Sequence, residues 1–393
     1  MSSTPIYLDH AATTPVRPEV REAMLPYLGG ELFGNPSSGH RFGRAVRAGI
    51  EQARREVAGA LDVGPEDVVF TSGGTEADNL AVLGACLRAR ALGRPMSAVA
   101  TATEHKAVLA AAHEVKHLGG EEALLPVDRN GLLDLAALDA ALARRPTVVS
   151  VMWVNNETGV VQPVAEIARR CAAAGTLFHS DLVQAFGKVP VSLAAVRADL
   201  ATISAHKIGG PKGVGALIVR DRSALEPLQH GGSQQHAVRP GTENVAGIVG
   251  LGRAASLVAA ELADEQRRLT ALRDELIARA SEAVPDLRVS GAGAPRAPHI
   301  VNLQIPGADG ESLLAQLDLA GVAASGGSAC TTGSVEPSHV LTAMGIPRAH
   351  ALGAIRLSLG RETRQVDIAF AVEVLRGVVQ KSRRLTAQLG RAG

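Results

Sequence analysis

Aromatic side chains are scarce in this sequence. Its 393 residues include one Trp, two Tyr and six Phe, which together make up 2% of the chain. Hydrophobic residues nevertheless account for 46%, so any core must be packed mainly with Ala, Val and Leu. The length exceeds what one hydrophobic core ordinarily covers, and it predicts two or three domains.

An excess of charge is also missing, and so is a long apolar segment. The formal net charge is +1 at pH 7, which gives no electrostatic basis for binding nucleic acid or an acidic membrane surface. Residues 1–5 lack the basic and apolar regions of a secretory signal, and we find no apolar run that reaches bilayer length. We therefore expect a cytoplasmic protein without direct nucleic-acid or membrane contacts.

Cysteine occurs only three times, at Cys86, Cys171 and Cys330, and in no spacing typical of a metal site. A small, odd number suits a reducing compartment. Cys86 and Cys171 lie in helical patterns, where a free cysteine usually serves as a small core residue. Cys330 lies among Gly, Ser and Thr residues, and this composition indicates an exposed thiol that acts as a mobile nucleophile.

Lysine is rare as well, since only six of the 40 lysine and arginine residues are lysines. Lys207 follows an apolar, β-prone run at 200–204 and precedes a Gly/Pro turn at 209–213. A lysine at the end of a buried strand loses hydration, which lowers its pKa and favours the nucleophilic amine that a Schiff base requires. An isolated lysine is more often a solvated loop residue, so the rest of the chain must decide between the two interpretations.

Short apolar runs alternate with helical patterns between residues 65 and 220. The predicted strands are 68–71, 98–101, 148–154 and 177–180, and the predicted helices are 75–92, 106–118 and 164–174. Such alternation is typical of an α/β fold with a mainly parallel sheet covered on both faces. A long helix is predicted for 243–284, followed by a Gly/Pro-rich stretch and a smaller α+β segment that ends near residue 380.

Three further features carry candidate chemistry. Gly73-Gly74-Thr75-Glu76 lies between a strand and a helix, where backbone amides bind a phosphate, although the same residues also suit a simple turn. Asp181 at a strand end is able to pair with a cationic ring nitrogen or to cap a helix. Arg356 in an apolar run is suited to a substrate carboxylate or to a structural ion pair.

A different class of enzyme is suggested by His113-Glu114-Val115-Lys116-His117. This stretch matches the H-E-x-x-H pattern that places two zinc-binding histidines on one helix face. A catalytic zinc site needs a third protein ligand, and no clear candidate follows in the sequence. We expect no metal here, and a zinc peptidase remains a remote alternative.

Taken together, the motifs resemble the cysteine desulfurases of the NifS/IscS type. These are pyridoxal-phosphate enzymes of the class-V aminotransferase family, with the aminotransferase-like fold (fold type I). The matching segments are YLDHAATTP at 7–15, GNPSS at 34–38, TEHK at 103–106, NNETG at 155–159, RPGTEN at 239–244 and IRLSLGR at 355–361. The resemblance implies a large cofactor-binding domain at 15–262. It also implies a small domain, formed by 1–14 and 263–393, that carries the cysteine loop.

The resemblance implies a role for each candidate residue. Lys207 would bind pyridoxal 5'-phosphate covalently, Asp181 would keep its ring nitrogen protonated, and Gln184 would bind its phenolic oxygen. His105 would stack on the ring and move protons, including that of the Cys330 thiol. The implied phosphate ligands are Gly74, Thr75, Ser204 and His206, joined by Thr242 from a second subunit of a homodimer. Asn156, also near the cofactor, and Arg356 would bind the substrate carboxylate.

The implied reaction converts L-cysteine to L-alanine and leaves the sulfur on Cys330 as a persulfide. An acceptor protein, either an iron–sulfur scaffold or a tRNA thiolase, would then take this sulfur. A selenocysteine lyase or another pyridoxal-phosphate lyase or aminotransferase is the nearest alternative, and the Gly/Ser-rich segment around Cys330 favours the desulfurase. One departure is Leu182, where relatives often carry a small residue, so different packing is expected near the ring.

Overall fold

The computed structural model describes residues 5–326 and 336–389. Its strands are β1 (Ile6–Tyr7), β2 (Val68–Thr71), β3 (Ser97–Thr101), β4 (Glu121–Leu125), β5 (Val148–Ser150), β6 (Leu177–Asp181), β7 (Leu200–Ser204), β8 (Gly215–Val219), β9 (Arg288–Val289), β10 (Ile300–Gln304), β11 (Val322–Ala323) and β12 (Ala354–Ser358). Its helices are α1 (Pro18–Leu28), α2 (Arg41–Leu61), α3 (Gly74–Ala91), α4 (Lys106–His117), α5 (Leu135–Leu142), α6 (Val164–Ala174), α7 (Val245–Ala283), α8 (Gly310–Leu319), α9 (His339–Ala343), α10 (Arg348–Leu352) and α11 (Gln365–Leu389).

The largest sheet has seven strands in the order β2-β8-β7-β6-β5-β3-β4. Only β8 among them runs antiparallel to its neighbours, which confirms the mainly parallel sheet expected from the sequence. Its central strands are apolar and buried, as parallel strands covered on both faces must be. The carboxyl ends of β2, β6 and β7 consequently meet at one edge, where an open α/β sheet binds its ligands.

Helices cover both faces of this sheet. On one face, α3 and α4 contribute Ala, Val and Leu side chains to a core that includes the buried Cys86. On the other face, α2, α6 and the first part of α7 enclose a larger core around Phe178. Most of these contacts involve small aliphatic side chains, which is how a chain with few aromatic residues fills its interior.

The predicted strands and helices next to the site are confirmed, with two differences. β5 ends at Ser150 rather than 154, although Val151 N and Trp153 N still donate to the carbonyls of β6 residues at 3.0 Å. The sequence also leaves out β4, because Glu121 and Glu122 suggest a solvated surface after α4. They belong instead to the edge strand, which pairs in parallel with β3.

The long helix predicted for 243–284 is α7, which contains 39 residues. Its first half packs against α1 and α2, and its second half supplies Leu269, Leu272 and Leu276 to the core of a second sheet. By length and composition, with a mean hydropathy of 1.5, part of α7 would be long and apolar enough to cross a membrane. This corrects the expectation that no apolar stretch reaches that length. Half of the apolar window is buried in protein contacts.

The second sheet has the antiparallel order β12-β10-β9, and β1 pairs in parallel with β11 beside it. α8 and α11 pack against these strands around Leu303, Ile355 and Leu375, and Leu8 from the start of the chain joins the same core. The two sheets are thus bridged by α7 and by the N-terminal segment. The domain boundaries at 14/15 and 262/263 stay predictions.

Candidate active site

A cavity of about 360 Å³ opens at the carboxyl edge of the large sheet. Ten of the predicted site residues line it: Gly74, Thr75, His105, Asn156, Asp181, Gln184, Ser204, His206, Lys207 and Arg356. The sequence interpretation missed other residues of its wall, including Ala11, Ala12, Asp78, Lys106, Met152, Glu157, Ser325 and His339. Residues from both sheets therefore converge on one cavity.

Lys207 lies at the end of a short 3-10 helix that follows β7. Its Nζ donates to the carbonyl oxygens of Ala11 and Ala12, both at 2.7 Å. Burial, with a smaller contribution from the nearby charge of Arg356, lowers the pKa of Lys207 to about 8. The chain then turns at Gly209, whose φ of +81° and close approach to Arg17 leave no room for a side chain. About one tenth of the Lys207 amine is therefore unprotonated and nucleophilic at pH 7, far more than for an ordinary lysine.

Two buried carboxyl groups lie beside this lysine. Asp181 ends β6, and its Oδ1 accepts a hydrogen bond from Val183 N at 2.7 Å. Burial raises the pKa of Asp181, while His105 and Lys207 act in the opposite direction. Asp78 is one turn into α3 and only 1% exposed, and burial together with the charge of Asp181 raises its pKa well above the ordinary value. Burial and the neighbouring charge therefore favour the neutral form of Asp78, and Asp181 is the carboxyl group suited to a cationic partner.

A neutral histidine adjoins these acids. His179 Nδ1 lies 2.8 Å from Ser150 Oγ, and its Nε2 lies 3.0 Å from Thr202 Oγ1. Burial lowers the pKa of His179 to about 3. His179 Nε2 lies 3.7 Å from the Asp78 carboxyl group. Because the ring is neutral, it gives Asp78 a polar neighbour but no positive charge.

The first turn of α3 forms an anion-binding corner. A second hollow of about 380 Å³ shares Gly74, Thr75, Ser204 and His206 with the main cavity and adds Lys212. A Cβ at Gly74 would lie 3.1 Å from Val183 Cγ2, so glycine lets this backbone lie close to the Val183 side chain in the cavity wall. Unpaired amides and the helix dipole favour a phosphate there. Burial lowers the pKa of His206 to about 4, so His206 would bind such a group as a neutral hydrogen-bonding residue.

His105 caps the N-terminus of α4. Its Nδ1 accepts a hydrogen bond from Ala107 N at 3.2 Å, so the neutral ring carries its proton on Nε2. Burial lowers the pKa of His105, and the positive charge of Lys207 acts in the same direction. The preceding Glu104 is fully buried, and burial raises its pKa to about 8. Its Oε1 accepts from Thr101 Oγ1 at 2.6 Å, which fixes the turn that presents His105.

Arg356 on β12 takes part in the structural ion pair that was one of its two sequence interpretations, and its role towards a substrate carboxylate stays a prediction. It forms a structural ion pair, since Nη2 donates to Asp9 Oδ1 at 2.8 Å, and Nη1 donates to the Asn156 carbonyl at 2.9 Å. Its Nε is buried and has no hydrogen-bond partner among the described residues. Backbone hydrogen bonds of 3.1 and 2.6 Å join Arg356 to Ser325, so this strand also anchors the segment that leads towards Cys330.

Gln184 is held between two elements. Its Nε2 donates to the Ala11 carbonyl at 2.8 Å, and its Oε1 lies 3.1 Å from His299 Nε2. Burial lowers the pKa of His299 well below the ordinary value, so this ring is neutral and donates through Nε2. The second N–H of the Gln184 amide is left for a ligand.

Two predicted residues are not brought into this cavity. Thr242 lines a separate hollow with Thr71, Gly213 and Arg239. Cys330 lies outside the described residues, although Ser325 on one side of it and His339 on the other both line the cavity.

The remaining cysteines, Cys86 and Cys171, are free and buried. Burial raises the pKa of each thiol to about 12, which confirms them as inert core residues. Leu182 is fully buried, packs in the main core and is not among the residues that line the cavity.

The H-E-x-x-H histidines lie on the exposed face of α4. His113 and His117 are 55% and 63% exposed, and their ring centroids are 4.5 Å apart. His113 Nδ1 is 3.2 Å from Glu122 Oε2 on β4. Within residues 5–326 and 336–389, no three such side chains are arranged to hold a metal ion. This exposed surface lacks the closed, three-ligand geometry of a zinc peptidase.

Comparison with known proteins places these features in context. The chain matches the family model for class-V aminotransferases over residues 6–370. It is 43% identical over 381 residues to the cysteine desulfurase IscS of Dictyoglomus turgidum, and this match covers 97% of the chain and 96% of the relative. It is also similar to the solved structure of a NifS-like protein, with a TM-score of 0.89 and 32% identity over 96% of the chain and 100% of that structure. The solved structure of SspA in complex with cysteine has a TM-score of 0.79 and 31% identity over 90% and 98% of the two chains.

Proposed function

The chain belongs to the class-V aminotransferase family and is a cysteine desulfurase of the NifS/IscS type, and from this premise we propose the roles of its site residues. The family resemblance of the sequence motifs is thereby confirmed. We propose that the cavity binds pyridoxal 5'-phosphate, that Cys330 receives the sulfur of L-cysteine, and that the active protein is a cytoplasmic homodimer.

The observation that carries this proposal is the position of Lys207 in one cavity between an anion-binding corner and a buried acid. The partly unprotonated Lys207 amine suits a covalent bond to an aldehyde. Gly74 and Thr75 at the start of α3 suit the phosphate, and Asp181 suits a protonated ring nitrogen. When bound, the cofactor supplies an electron sink for chemistry at the substrate α-carbon.

The substrate is then oriented by residues of the second sheet. The Arg356 guanidinium, with its unpartnered Nε, provides a forked donor for the α-carboxylate, and Asn156 lies beside it. Asp9 and the Asn156 carbonyl hold this guanidinium in place. L-cysteine would therefore bind with its carboxylate towards Arg356 and its amine towards Lys207.

Sulfur transfer requires a nucleophile that the described cavity does not contain. Cys86 and Cys171 are buried away from it, which leaves Cys330 as the thiol for this step. As the S–S bond to Cys330 forms, the C–S bond of the substrate breaks and the carbon skeleton takes up a proton to leave as L-alanine. The persulfide then serves either an iron–sulfur scaffold or a tRNA thiolase, because both acceptors require the same sulfur donor.

The position of Thr242 supports a homodimer. Thr242 lies outside its own chain's cavity, so the phosphate contact implied by the family would come from a second copy. The apolar side chains of Leu28, Phe33 and Phe42 are 66%, 66% and 42% exposed in the single chain. Ser37 Oγ, in the same region, is 3.4 Å from Gln234 Nε2 on the segment that leads to Thr242. A partner bound here would cover the apolar residues and meet the Thr242 segment.

The direct test adds L-cysteine to the purified holoenzyme and measures alanine and sulfide with and without a thiol reductant. With reductant, we expect alanine and sulfide in equal amounts. Without it, alanine formation should slow once the protein has taken up sulfur. L-selenocysteine is tested in parallel. Formation of pyruvate and ammonia in place of alanine, or turnover of L-selenocysteine alone, would refute the proposal.

A further inference from the structure

His339 is a cavity residue that the family motifs do not single out. It begins α9, is half-buried and lines the cavity close to the cap of α4. Its Nε2 lies 3.0 Å from the Glu104 carbonyl oxygen. A carbonyl only accepts hydrogen bonds, so Nε2 must carry the proton and Nδ1 of the neutral ring keeps a bare lone pair. Within the described part of the chain, Nδ1 has no hydrogen-bond partner.

The contacts of α9 fix the position of His339. The preceding Ser338 caps α9 by accepting from Val340 N at 3.1 Å, and its own hydroxyl donates to the Glu157 carboxylate. Val340 and Leu341 are buried in a small core, which fixes the helix against the site. The imidazole of this cavity residue is therefore held at Nε2, and Nδ1 is left without a partner among the described residues.

His105 has the opposite tautomer. Its Nδ1 is engaged by Ala107 N, so its remaining nitrogen is an N–H donor. To accept a proton at Nδ1, a neutral His105 would have to lose the hydrogen bond from Ala107 N that caps α4. The sequence interpretation assigns proton acceptance to His105, whereas the hydrogen bonds give the free lone pair to His339.

Few other groups of the cavity are able to accept a proton. Burial favours the protonated form of Asp78, the proposed partner of Asp181 is the ring nitrogen, and Glu157 accepts a hydrogen bond from Ser338. Burial lowers the pKa of His206 to about 4, which makes it a weak base. The cationic side chains that face the same space are Lys106, Lys207 and Arg356. They disfavour an incoming ammonium and so favour the loss of its proton.

We propose that His339 Nδ1 is the general base that removes a proton from the α-ammonium group of bound L-cysteine. The proposal rests on the desulfurase function of the same cavity. An α-ammonium ionises only near or above pH 8, so at neutral pH the substrate arrives protonated and unable to displace Lys207. The substrate N–H bond breaks, the Nδ1–H bond forms and the nitrogen keeps the electron pair. His339 then passes this proton to the Lys207 amine as that amine is released, so no proton or electron is left over.

The test isolates amine exchange from sulfur transfer by using L-alanine as the ligand. Rapid mixing of the holoenzyme with L-alanine is followed by the visible absorbance of the cofactor between pH 6.5 and 9.5. His339→Gln keeps an N–H donor for the Glu104 carbonyl but has no base. We expect it to slow the absorbance change by about 10²- to 10⁴-fold at low pH, the usual contribution of a general base. This deficit should shrink as the amine ionises by itself.

Chemical rescue separates a base from a structural residue. His339→Ala should be slowed in the same way, and added imidazole should restore its rate in proportion to concentration. His113→Gln, on the exposed face of α4, is the matched control and should behave as the unaltered protein. A His339→Gln rate equal to that of the unaltered protein, or a deficit that neither pH nor imidazole changes, would overturn the proposal. Alanine and sulfide release from L-cysteine by the unaltered protein tests the proposed function separately.

Discussion

Arg356 and Asp9 form an ion pair across 347 positions of sequence, with 2.8 Å between Nη2 and Oδ1. The pair joins β12 to the N-terminal segment whose Ala11 and Ala12 carbonyls accept from Lys207. The carboxylate-binding arginine and the cofactor-binding lysine are therefore positioned by the same stretch of chain.

Arg356→Lys tests this arrangement. An ammonium cannot bind Asp9, the Asn156 carbonyl and a substrate carboxylate with the planar geometry of a guanidinium. Loss of one charge-assisted hydrogen bond should raise the KM for L-cysteine by about one to two orders of magnitude. Arg361→Lys is the control, because Arg361 is half-exposed and its ion pairs with acidic neighbours are long, at 3.9 Å. An unchanged KM in Arg356→Lys would remove Arg356 from the substrate site.

The dimer proposal makes a prediction for mixed subunits. Lys207→Ala and Thr242→Ala should each be impaired as homodimers. When the two variants are mixed after reversible dissociation, one site of each hybrid combines an intact Lys207 with the partner's intact Thr242. We expect desulfurase activity to recover on mixing, up to one working site per hybrid. An absence of recovery, with hybrid formation confirmed by native mass spectrometry, would contradict a shared site.

Lys207 should reduce the stability of the cofactor-free protein at neutral pH. Its pKa of about 8 in the folded state lies below the ordinary 10.5. The unfolded chain therefore binds more protons between these values, and the free energy of unfolding rises as the pH increases through this window. Below pH 8 the cost is fully present and amounts to at most about 3.4 kcal/mol, at 1.36 kcal/mol for each pH unit between the two pKa values.

Urea unfolding of the cofactor-free protein and of Lys207→Met at pH 7 and pH 10 measures this cost. The gain in free energy of unfolding on Lys207→Met should be smaller at pH 10 than at pH 7 by about 2.5 kcal/mol. Loss of the hydrogen bonds to Ala11 and Ala12 changes the free energy of unfolding of Lys207→Met by the same amount at both pH values. It therefore does not alter the difference between pH 7 and pH 10. A difference in stability that is independent of pH would show that the Lys207 pKa is not depressed.

Asp181 and Asp78 are neighbouring buried acids with different expected roles. Asp181→Asn removes the negative charge that a protonated ring nitrogen requires, and we expect α-proton exchange to slow by about 10²-fold, as for loss of one preorganised electrostatic contact. Asp78→Asn replaces a carboxyl group whose neutral form is favoured by burial with a group of the same shape, and it should cost much less. Exchange of the α-proton of L-alanine in D₂O, followed by NMR, measures both. Equal losses in the two variants would contradict the assignment.

The parts of the site that follow a local signal are predictable from the sequence. Lys207 and Asp181 each end an apolar run, and Gly73-Gly74 lies where β2 passes into α3. Each of these residues lies near the end of a strand and is of a type that is uncommon in an apolar segment. The family motifs add Gln184 and Asn156, which have no local signal of their own.

Other parts depend on contacts that no local pattern records. His339 becomes a candidate base only because it meets the Glu104 carbonyl, 235 positions earlier. Asp78 could have been noticed as a lone carboxyl on the apolar face of α3, but the rise in its pKa comes from burial next to Asp181. The edge strand β4 is missed because its glutamates resemble a solvated surface until β3 is in place beside it.

Sulfur transfer to Cys330 is the central claim, and mass spectrometry of the protein after brief exposure to L-cysteine tests it most directly. Intact protein should gain one sulfur atom, and peptide mapping should place it on the peptide that contains Cys330. Cys330→Ser should take up no sulfur and release no alanine, whereas Cys86→Ala and Cys171→Ala should still be modified at Cys330. Sulfur found on Cys86 or Cys171, or alanine released at the normal rate by Cys330→Ser, would contradict the account.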